Sequence, residues 1–380
     1  MTTLASTPLT RRHSAPVESL RGLAALGVLV AHCWGLGHGY GPATLGTRVG
    51  RLGLLGGEGL ALFFALSGYL LTRQLVRADR GPLSRYFRHR VARILPTWWF
   101  VLAVMLLVHD DGVPVSAWWR FPLLLQGFWP DTVIRVDGPA WSLAVEAQFY
   151  LLLPLLAWVL RRGAREAGVA VLVLAGVGTA LAVATVTSPS GSAVWKYSLP
   201  ANLVYFVPGI ALAVAQEHGA FNRLRGRAGG HLRLLLLAAS LPFWFSFVLW
   251  PRTAALSAVA SGLTVAAVAL PLGDGRVVRV LSHRFLVAAG TLSFGIYLWH
   301  EPLTHLVHGH LVTGWLPLLA VVLPASVLLA TLSYLLVEAP SLRLRDVPWP
   351  VRGGLPAREV RLLLTGAGIA AAAVALAGLA

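Results

Sequence analysis

An arginine and a histidine lie within the first long apolar stretch of the chain. Arg21 stands near the start of this stretch, and His32 follows eleven residues later. Because an α-helix rises 1.5 Å per residue, the two are expected to be about 16 Å apart along one helix. Ionisable side chains are costly in a hydrocarbon layer and by default mark functional sites. A neutral imidazole at His32 could act as a general base.

A carboxylate is expected at a similar depth on another helix. Glu146 lies in the stretch WSLAVE, which begins at Trp141 and Ser142. It is expected about 8 Å below the outer edge of the membrane on its own span, and His32 is expected about 10 Å below the same edge on the first span. A carboxylate can orient an imidazole and stabilise its protonated form. We therefore expect Glu146 to accompany His32, whereas an ion pair with an outer-loop arginine is the structural alternative.

A pair of small residues interrupts the second apolar stretch. Ser67 and Gly68 occur in FALSGY. Small residues let two helices approach closely. The functional alternative is that Ser67 and Gly68 line a narrow channel for an extended ligand.

Arginines are dense between the second and third apolar stretches. Helical periodicity places Arg90 and Arg93 on one face, with Arg85 and Arg88 nearby. Guanidinium groups suit bidentate binding of phosphate. Topogenic charge and contact with anionic lipid would account for the same residues.

The ninth apolar stretch contains SFGIYLWHEPL, residues 293–303. Tyr297 and His300 fall in its outer half and are candidates to line the site. Further histidines follow, but their spacing matches no compact ligand pattern, so no metal is predicted.

The composition requires that these residues lie in a membrane. The chain has 380 residues, of which 57% are hydrophobic and 12% charged, and its mean hydropathy is +0.71. A soluble protein carries about 25% charged residues. We predict an all-α, polytopic transmembrane helix bundle with about eleven spans, at residues 19–37, 55–73, 94–108, 141–160, 168–187, 201–216, 233–250, 254–272, 285–304, 315–337 and 362–379. The Trp-rich residues 116–129 are too short to span and are expected to be interfacial or re-entrant.

The distribution of positive charge predicts the orientation. With the N-terminus in the cytoplasm, 25 Arg and Lys residues fall inside and 6 outside. This bias explains most of the net charge of +16 without nucleic acid. We expect that the first span is not cleaved. We also expect the chain to divide into four parts: a cytoplasmic tail over 1–18, a transmembrane domain over 19–340, a basic cytoplasmic loop over 341–361, and a last transmembrane helix over 362–380.

Together these motifs resemble the acyltransferase-3 family of integral membrane acyltransferases, which includes bacterial polysaccharide O-acetylases and some macrolide acyltransferases. The resemblance rests on the order and spacing of Arg21 and His32, Phe64-x-x-Ser67-Gly68, Arg90-x-x-Arg93, Trp141-Ser142-Leu143-x-x-Glu146 and Ser293-x-x-x-Tyr297-Leu-x-His300-x-Pro302-Leu303. It implies about ten spans in the inner or plasma membrane. It also implies transfer of an acyl group, often acetyl, from acyl-CoA to a hydroxyl group. We expect no hydrolase-like domain after the spans.

The resemblance and the topology suggest a mechanism. The arginines at positions 85, 88, 90 and 93, with Arg21, would hold the nucleotide end of cytoplasmic acyl-CoA, and Ser67 and Gly68 would line the path of its arm. His32 would act as general base on the acceptor, a carbohydrate, lipid-linked glycan or macrolide, with Glu146 orienting it. A covalent acyl-histidine is an alternative. A proton-coupled exporter is the competing class, because intramembrane Arg, His and Glu also build proton relays.

Overall fold

The computed structural model describes residues 8–77, 81–108, 113–187, 192–222, 224, 227–250, 255–273 and 275–345. These ranges are helical and contain no β-strand, which confirms the all-α prediction. Ten long helices are named α1 to α10: Pro8–His38, Gly59–Val76, Leu83–Val108, Trp141–Leu160, Ala164–Thr187, Leu199–Glu217, Arg227–Leu249, Ser257–Ala269, Arg284–Val307 and Trp315–Ser333. Each coincides with a predicted apolar stretch. The predicted segment 362–380 and all but the first residues of the loop 341–361 lie outside the described residues.

Within the described ranges, seven helical segments are long and apolar enough to cross a membrane, which supports a multi-pass membrane protein. They occupy Ala15–His38, Arg48–Val76, Gly138–Leu160, Ala164–Thr185, Ala193–Glu217, Gly229–Leu249 and Trp315–Leu344. Three of the ten long helices are not among these seven segments. Helices α3 and α9 carry the arginine run and the His300 region, and α8 has only 13 residues.

The N-terminal part of helix α1 overlaps the predicted tail. Helix α1 begins at Pro8, within the tail predicted over 1–18. Proline suits the first turn of a helix, because its fixed φ is helical and its missing N–H would be unpaired there.

The Trp-rich segment forms short 3₁₀ turns and no spanning helix. These turns occupy Val115–Arg120 and Gln126–Phe128, and a third at Gly138–Ala140 leads into α4. The segment is tied to α3 through two indoles. Trp98 Nε1 donates to the carbonyl of Phe121 at 2.8 Å, and Trp99 Nε1 donates to that of Pro122 at 2.9 Å.

Glycines bring α1 and α9 into backbone contact. A Cβ on Gly290 would lie 1.9 Å from the carbonyl oxygen of Glu18, and one on Gly22 would lie 2.5 Å from the nitrogen of Gly290. No side chain fits at this crossing. The two helices therefore run along each other closely enough to set His32 against His300.

A second close crossing joins α2 and α6. A Cβ on Gly68 would lie 2.4 Å from the carbonyl oxygen of Phe206, and one on Gly209 would lie 1.9 Å from that of Ala65. Gly68 is buried in this crossing. It therefore serves helix packing, which was the alternative to a place on the wall of a ligand channel.

Replacing Gly209 with valine is expected to destabilise the protein by about 3 kcal/mol or more, because the side chain meets backbone rather than flexible atoms. The matched control is Gly176→Ala in α5, where a Cβ meets nothing within 4 Å. There alanine should be neutral or stabilising by about 1 kcal/mol through helix propensity. Thermal unfolding in detergent, followed by size-exclusion chromatography, measures both. Equal midpoints for the two variants would contradict the crossing.

Candidate active site

Two histidines meet where α1 and α9 cross. His32 Nδ1 lies 2.6 Å from Nε2 of His300. His300 is fully buried, and its Nδ1 lies 2.6 Å from the carbonyl oxygen of Tyr297. A carbonyl only accepts, so His300 Nδ1 carries the proton and its Nε2 is an acceptor. His32 therefore donates from Nδ1, which leaves its Nε2 lone pair free to act as a base.

A carboxylate stands beside this pair. Glu301 Oε2 lies 3.6 Å from His32 Nδ1, and its Oε1 lies 3.1 Å from Nε2 of His305. Thr304 Oγ1 approaches Oε2 at 3.5 Å. A negative charge near Nδ1 stabilises an imidazolium, which is the role that the sequence suggested for Glu146.

The same three side chains are of types that bind transition metals. Ligand atoms of His32, His300 and Glu301 lie within 4.8 Å of one another. Two nitrogen ligands of a tetrahedral zinc ion would be about 3.3 Å apart, given Zn–N bonds of about 2.0–2.1 Å. The 2.6 Å between the two ring nitrogens is instead a direct hydrogen bond. The geometry fits a proton-handling pair better than a metal centre.

The structure does not bring Glu146 to His32 among the described residues. Glu146 Oε1 accepts a hydrogen bond from Ser67 Oγ, and Tyr150 also hydrogen-bonds to this carboxylate. The two residues lie on helices that have different neighbours. Helix α4 packs on α2, whereas α1 packs along α9. The expected pairing of His32 with Glu146 is therefore replaced by His32 with His300 and Glu301.

Glu146 and Ser67 lie at a narrow point of the interior, here called the neck. With Arg21 they line a cavity of about 60 Å³. Ser142 and Tyr297 line its other side, where their hydroxyl oxygens are 2.7 Å apart. Tyr297 also donates to the carbonyl of Pro139 at 2.9 Å. These bonds hold the predicted residues Ser142 and Tyr297 in place.

An arginine-lined cavity adjoins the neck. This arginine cavity has a volume of about 270 Å³, and its basic lining residues are Arg21, His89, Arg90, Arg93 and Arg345. A surface cavity of about 440 Å³ lies next to it and is lined by Arg73, Arg77 and Arg85. Arg88 lines neither of the two. Periodicity thus located Arg90 and Arg93 correctly, whereas Arg88 faces elsewhere.

Arg93 is held by a buried acid. Its guanidinium pairs with the carboxylate of Glu338, which is 1% exposed. Glu338 ends a π-helical turn, Tyr334–Glu338, that follows α10. Such turns occur frequently at functional sites. The neighbouring Arg90 lies over the ring of Tyr150 at 5.8 Å from the centroid.

On the other side of the neck, His32 lines a cavity of about 740 Å³, here called the histidine cavity. Its aromatic walls include the predicted residue Trp141, whose ring lies 4.8 Å from that of Tyr197 between centroids. Tyr40 and Tyr297 also belong to the wall, Arg135 and Glu301 supply charge, and His305 lies beside Glu301.

The four cavities form one series, because neighbours share lining residues. The surface and arginine cavities share Gln74 and His89. The arginine cavity and the neck share Arg21, Ser67 and Glu146. The neck and the histidine cavity share Leu60 and Tyr297. The residues that neighbouring cavities share therefore connect the arginines of α3 with His32.

The fold and this series of cavities define an integral membrane protein with an internal two-sided site. The chain belongs to the acyltransferase-3 family: the family profile, described as an acyltransferase domain, matches residues 16–337. It is therefore an enzyme that transfers acyl groups in a membrane, as the resemblance of its motifs to this family predicted.

Curated relatives agree with this assignment. The chain is 26% identical over 371 residues to nodulation protein 10 of Rhizobium leguminosarum bv. viciae, covering 88% of this chain and 94% of that protein. It is 24% identical over 380 residues to the peptidoglycan O-acetyltransferase OatA of Listeria monocytogenes, covering 88% of this chain and 57% of that protein. It is 22% identical over 364 residues to the O-acetyltransferase OatA of Staphylococcus aureus, covering 87% and 57%. The chain thus spans little more than half of the OatA proteins. No solved structure matches it significantly.

Proposed function

We propose that this membrane O-acyltransferase moves an acetyl group from cytoplasmic acetyl-CoA to a hydroxyl group of a carbohydrate. The series of cavities is the observation that carries the proposal. Phosphates of the nucleotide end bind Arg90, Arg93 and Arg21, because guanidinium groups form charge-assisted bonds with phosphate. The pantetheine arm passes the neck, where Glu146 accepts hydrogen bonds from its amide groups.

The acceptor enters from the histidine cavity. His32 Nε2 takes the proton of the acceptor hydroxyl while its oxygen attacks the thioester carbonyl. A C–O bond forms, the C–S bond breaks, and the imidazolium returns its proton to the departing thiolate of CoA. His300 fixes the tautomer of His32, and Glu301 stabilises the imidazolium. No step requires a metal.

Aromatic walls support a carbohydrate acceptor, since sugar rings expose apolar faces that stack on Trp141 and Tyr197. The name of the Listeria relative states peptidoglycan O-acetylation. A lipid-linked glycan or a macrolide offers the same hydroxyl chemistry. The membrane would be the inner or plasma membrane, with the N-terminus in the cytoplasm as the charge bias predicts.

The side of donor entry is testable with sealed membrane vesicles. Inside-out vesicles, which present the arginine cavity to the medium, are expected to transfer label from added radioactive acetyl-CoA to a lipid- or glycan-bound product. Right-side-out vesicles should transfer less than a tenth as much until they are permeabilised. A proton-coupled exporter would instead move an unmodified substrate under a pH gradient without acetyl-CoA, and that result would overturn the proposal.

A further inference from the structure

The loop before α4 presents an arginine at the mouth of the histidine cavity. Arg135 lines this cavity and is exposed, and it has no ion-pair partner among the described residues. Two other described arginines at this end are engaged within the protein. Arg120 pairs with Asp131 at 3.0 Å, and Arg51 is buried and donates to the carbonyls of Val248 and Leu45.

The backbone that holds Arg135 is strained. Val136 is buried and has φ of 69°, a region that a β-branched residue rarely adopts. The amide of Asp137 donates to the carbonyl of Arg135 at 2.8 Å, which closes a γ-turn of the rarer, positive-φ form. Strain of this kind persists only where the surroundings enforce it, and it clusters at ligand clamps and active sites.

The same loop covers the carboxylate of Glu301. A Cβ on Gly138 would lie 3.3 Å from Oε1 of Glu301. The γ-turn therefore fixes Arg135 relative to the His32–Glu301 pair. Among the described residues that line the histidine cavity, Glu301 is the one acidic residue, and it is already engaged by His305 and His32. The charge of Arg135 is thus available to a ligand.

We infer that the acceptor is a glycan that carries an anionic group, a carboxylate or a phosphate, which Arg135 holds at the mouth of the histidine cavity. The wall of Trp141 and Tyr197 stacks the sugar, and the volume of about 740 Å³ suits more than one ring. A guanidinium binds either oxyanion through two parallel hydrogen bonds. The inference rests on the proposed function, because it names the substrate class of that reaction.

Binding to protein in phosphatidylcholine nanodiscs, without acetyl-CoA, tests the inference. The probes are chitotetraose, its phosphorylated form and a hyaluronan tetrasaccharide, whose carboxylates distinguish the two sources of charge. At least one acidic probe is expected to bind about tenfold more tightly than chitotetraose. Arg135→Gln should remove this preference and Arg135→Lys should retain part of it. Arg48→Gln, at another exposed arginine of this end, should leave it unchanged.

Three results would overturn the inference. The first is equal binding of neutral and acidic probes, and the second is a preference that persists in Arg135→Gln. The third is an effect of Arg135 that is confined to nanodiscs with anionic phosphatidylglycerol, where it would contact headgroups. A failure of the proposed function can be distinguished from a failure of this inference. If acyl transfer is absent while Arg135-dependent binding remains, the anion site stands and the reaction does not.

Discussion

His32→Ala is expected to lower the rate of acyl transfer by about 100- to 10,000-fold, the contribution typical of a positioned general base. The loss should fall on kcat, because His32 acts on the acceptor hydroxyl and does not hold the nucleotide. Transfer of label from acetyl-CoA in membranes, normalised to the amount of folded protein, measures the effect. Full transfer by His32→Ala would exclude the assignment.

The matched control is His38→Ala on the same helix. His38 is exposed and lies about 1.7 turns beyond His32, where its Nδ1 contacts the carbonyl of Trp34. This variant should retain activity within about twofold, since surface substitutions rarely change stability by more than about 0.5 kcal/mol.

Substitutions of His300 test which ring donates the hydrogen bond between His32 and His300. His300→Ala removes the acceptor for His32 Nδ1–H and is expected to lower kcat by about 10- to 100-fold with little change in KM, as for a positioning residue. His300→Gln keeps a carbonyl acceptor and should restore part of the rate. A change in KM alone, or no rescue by glutamine, would contradict the tautomer deduced from Tyr297 and His300.

The positions of the helices could be predicted from sequence because hydrophobic runs of spanning length depend only on composition. Arg90 and Arg93 could also be placed, since helical periodicity alone puts them on one face. Arg88 and Gly68 show the limit of that reasoning. Periodicity shows which residues share a face of a helix, but it does not show which other helix packs against that face. For Gly68 the neighbour is α6, and Gly68 therefore packs on Phe206 and does not line a channel.

The partner of His32 was beyond sequence reasoning for a physical reason. The helical rise gives an approximate depth, so Glu146 and His32 were expected at similar depths, but depth does not state which helices touch. The crossing of α1 and α9, permitted by Gly22 and Gly290, decides it. A signal was present, since Glu301 directly follows His300 within an apolar stretch and is itself a costly intramembrane carboxylate.

The γ-turn at Val136 left no sequence signal, because turns with positive φ are normally indicated by glycine or asparagine. Arg135 therefore looked like any loop arginine. Its importance follows only from the tertiary contacts that force Val136 into this conformation and hold the loop over Glu301.

Arg93→Gln is expected to raise the KM for acetyl-CoA by roughly 10- to 100-fold, because a charge-assisted hydrogen bond contributes about 1.5–3 kcal/mol. The substitution also leaves Glu338 buried without its partner, which by itself can cost about 3–5 kcal/mol of stability. The single variant therefore confounds binding with folding. The double variant Arg93→Gln/Glu338→Gln separates the two, because two amides replace the buried ion pair.

If Arg93 binds phosphate, the double variant should regain thermal stability while the KM for acetyl-CoA stays high. With acetyl-pantetheine, which lacks the nucleotide phosphates, wild type and double variant should have similar KM values, since the lost contact is absent from both. Arg88→Gln is the control on the same helix and should change neither KM by more than about twofold, as Arg88 lines neither arginine-rich cavity. Recovery of a normal KM for acetyl-CoA in the double variant would show that the Arg93–Glu338 pair is structural. The phosphate site would then have to be assigned to Arg90, Arg21 and Arg345, the guanidinium groups that remain in the arginine cavity.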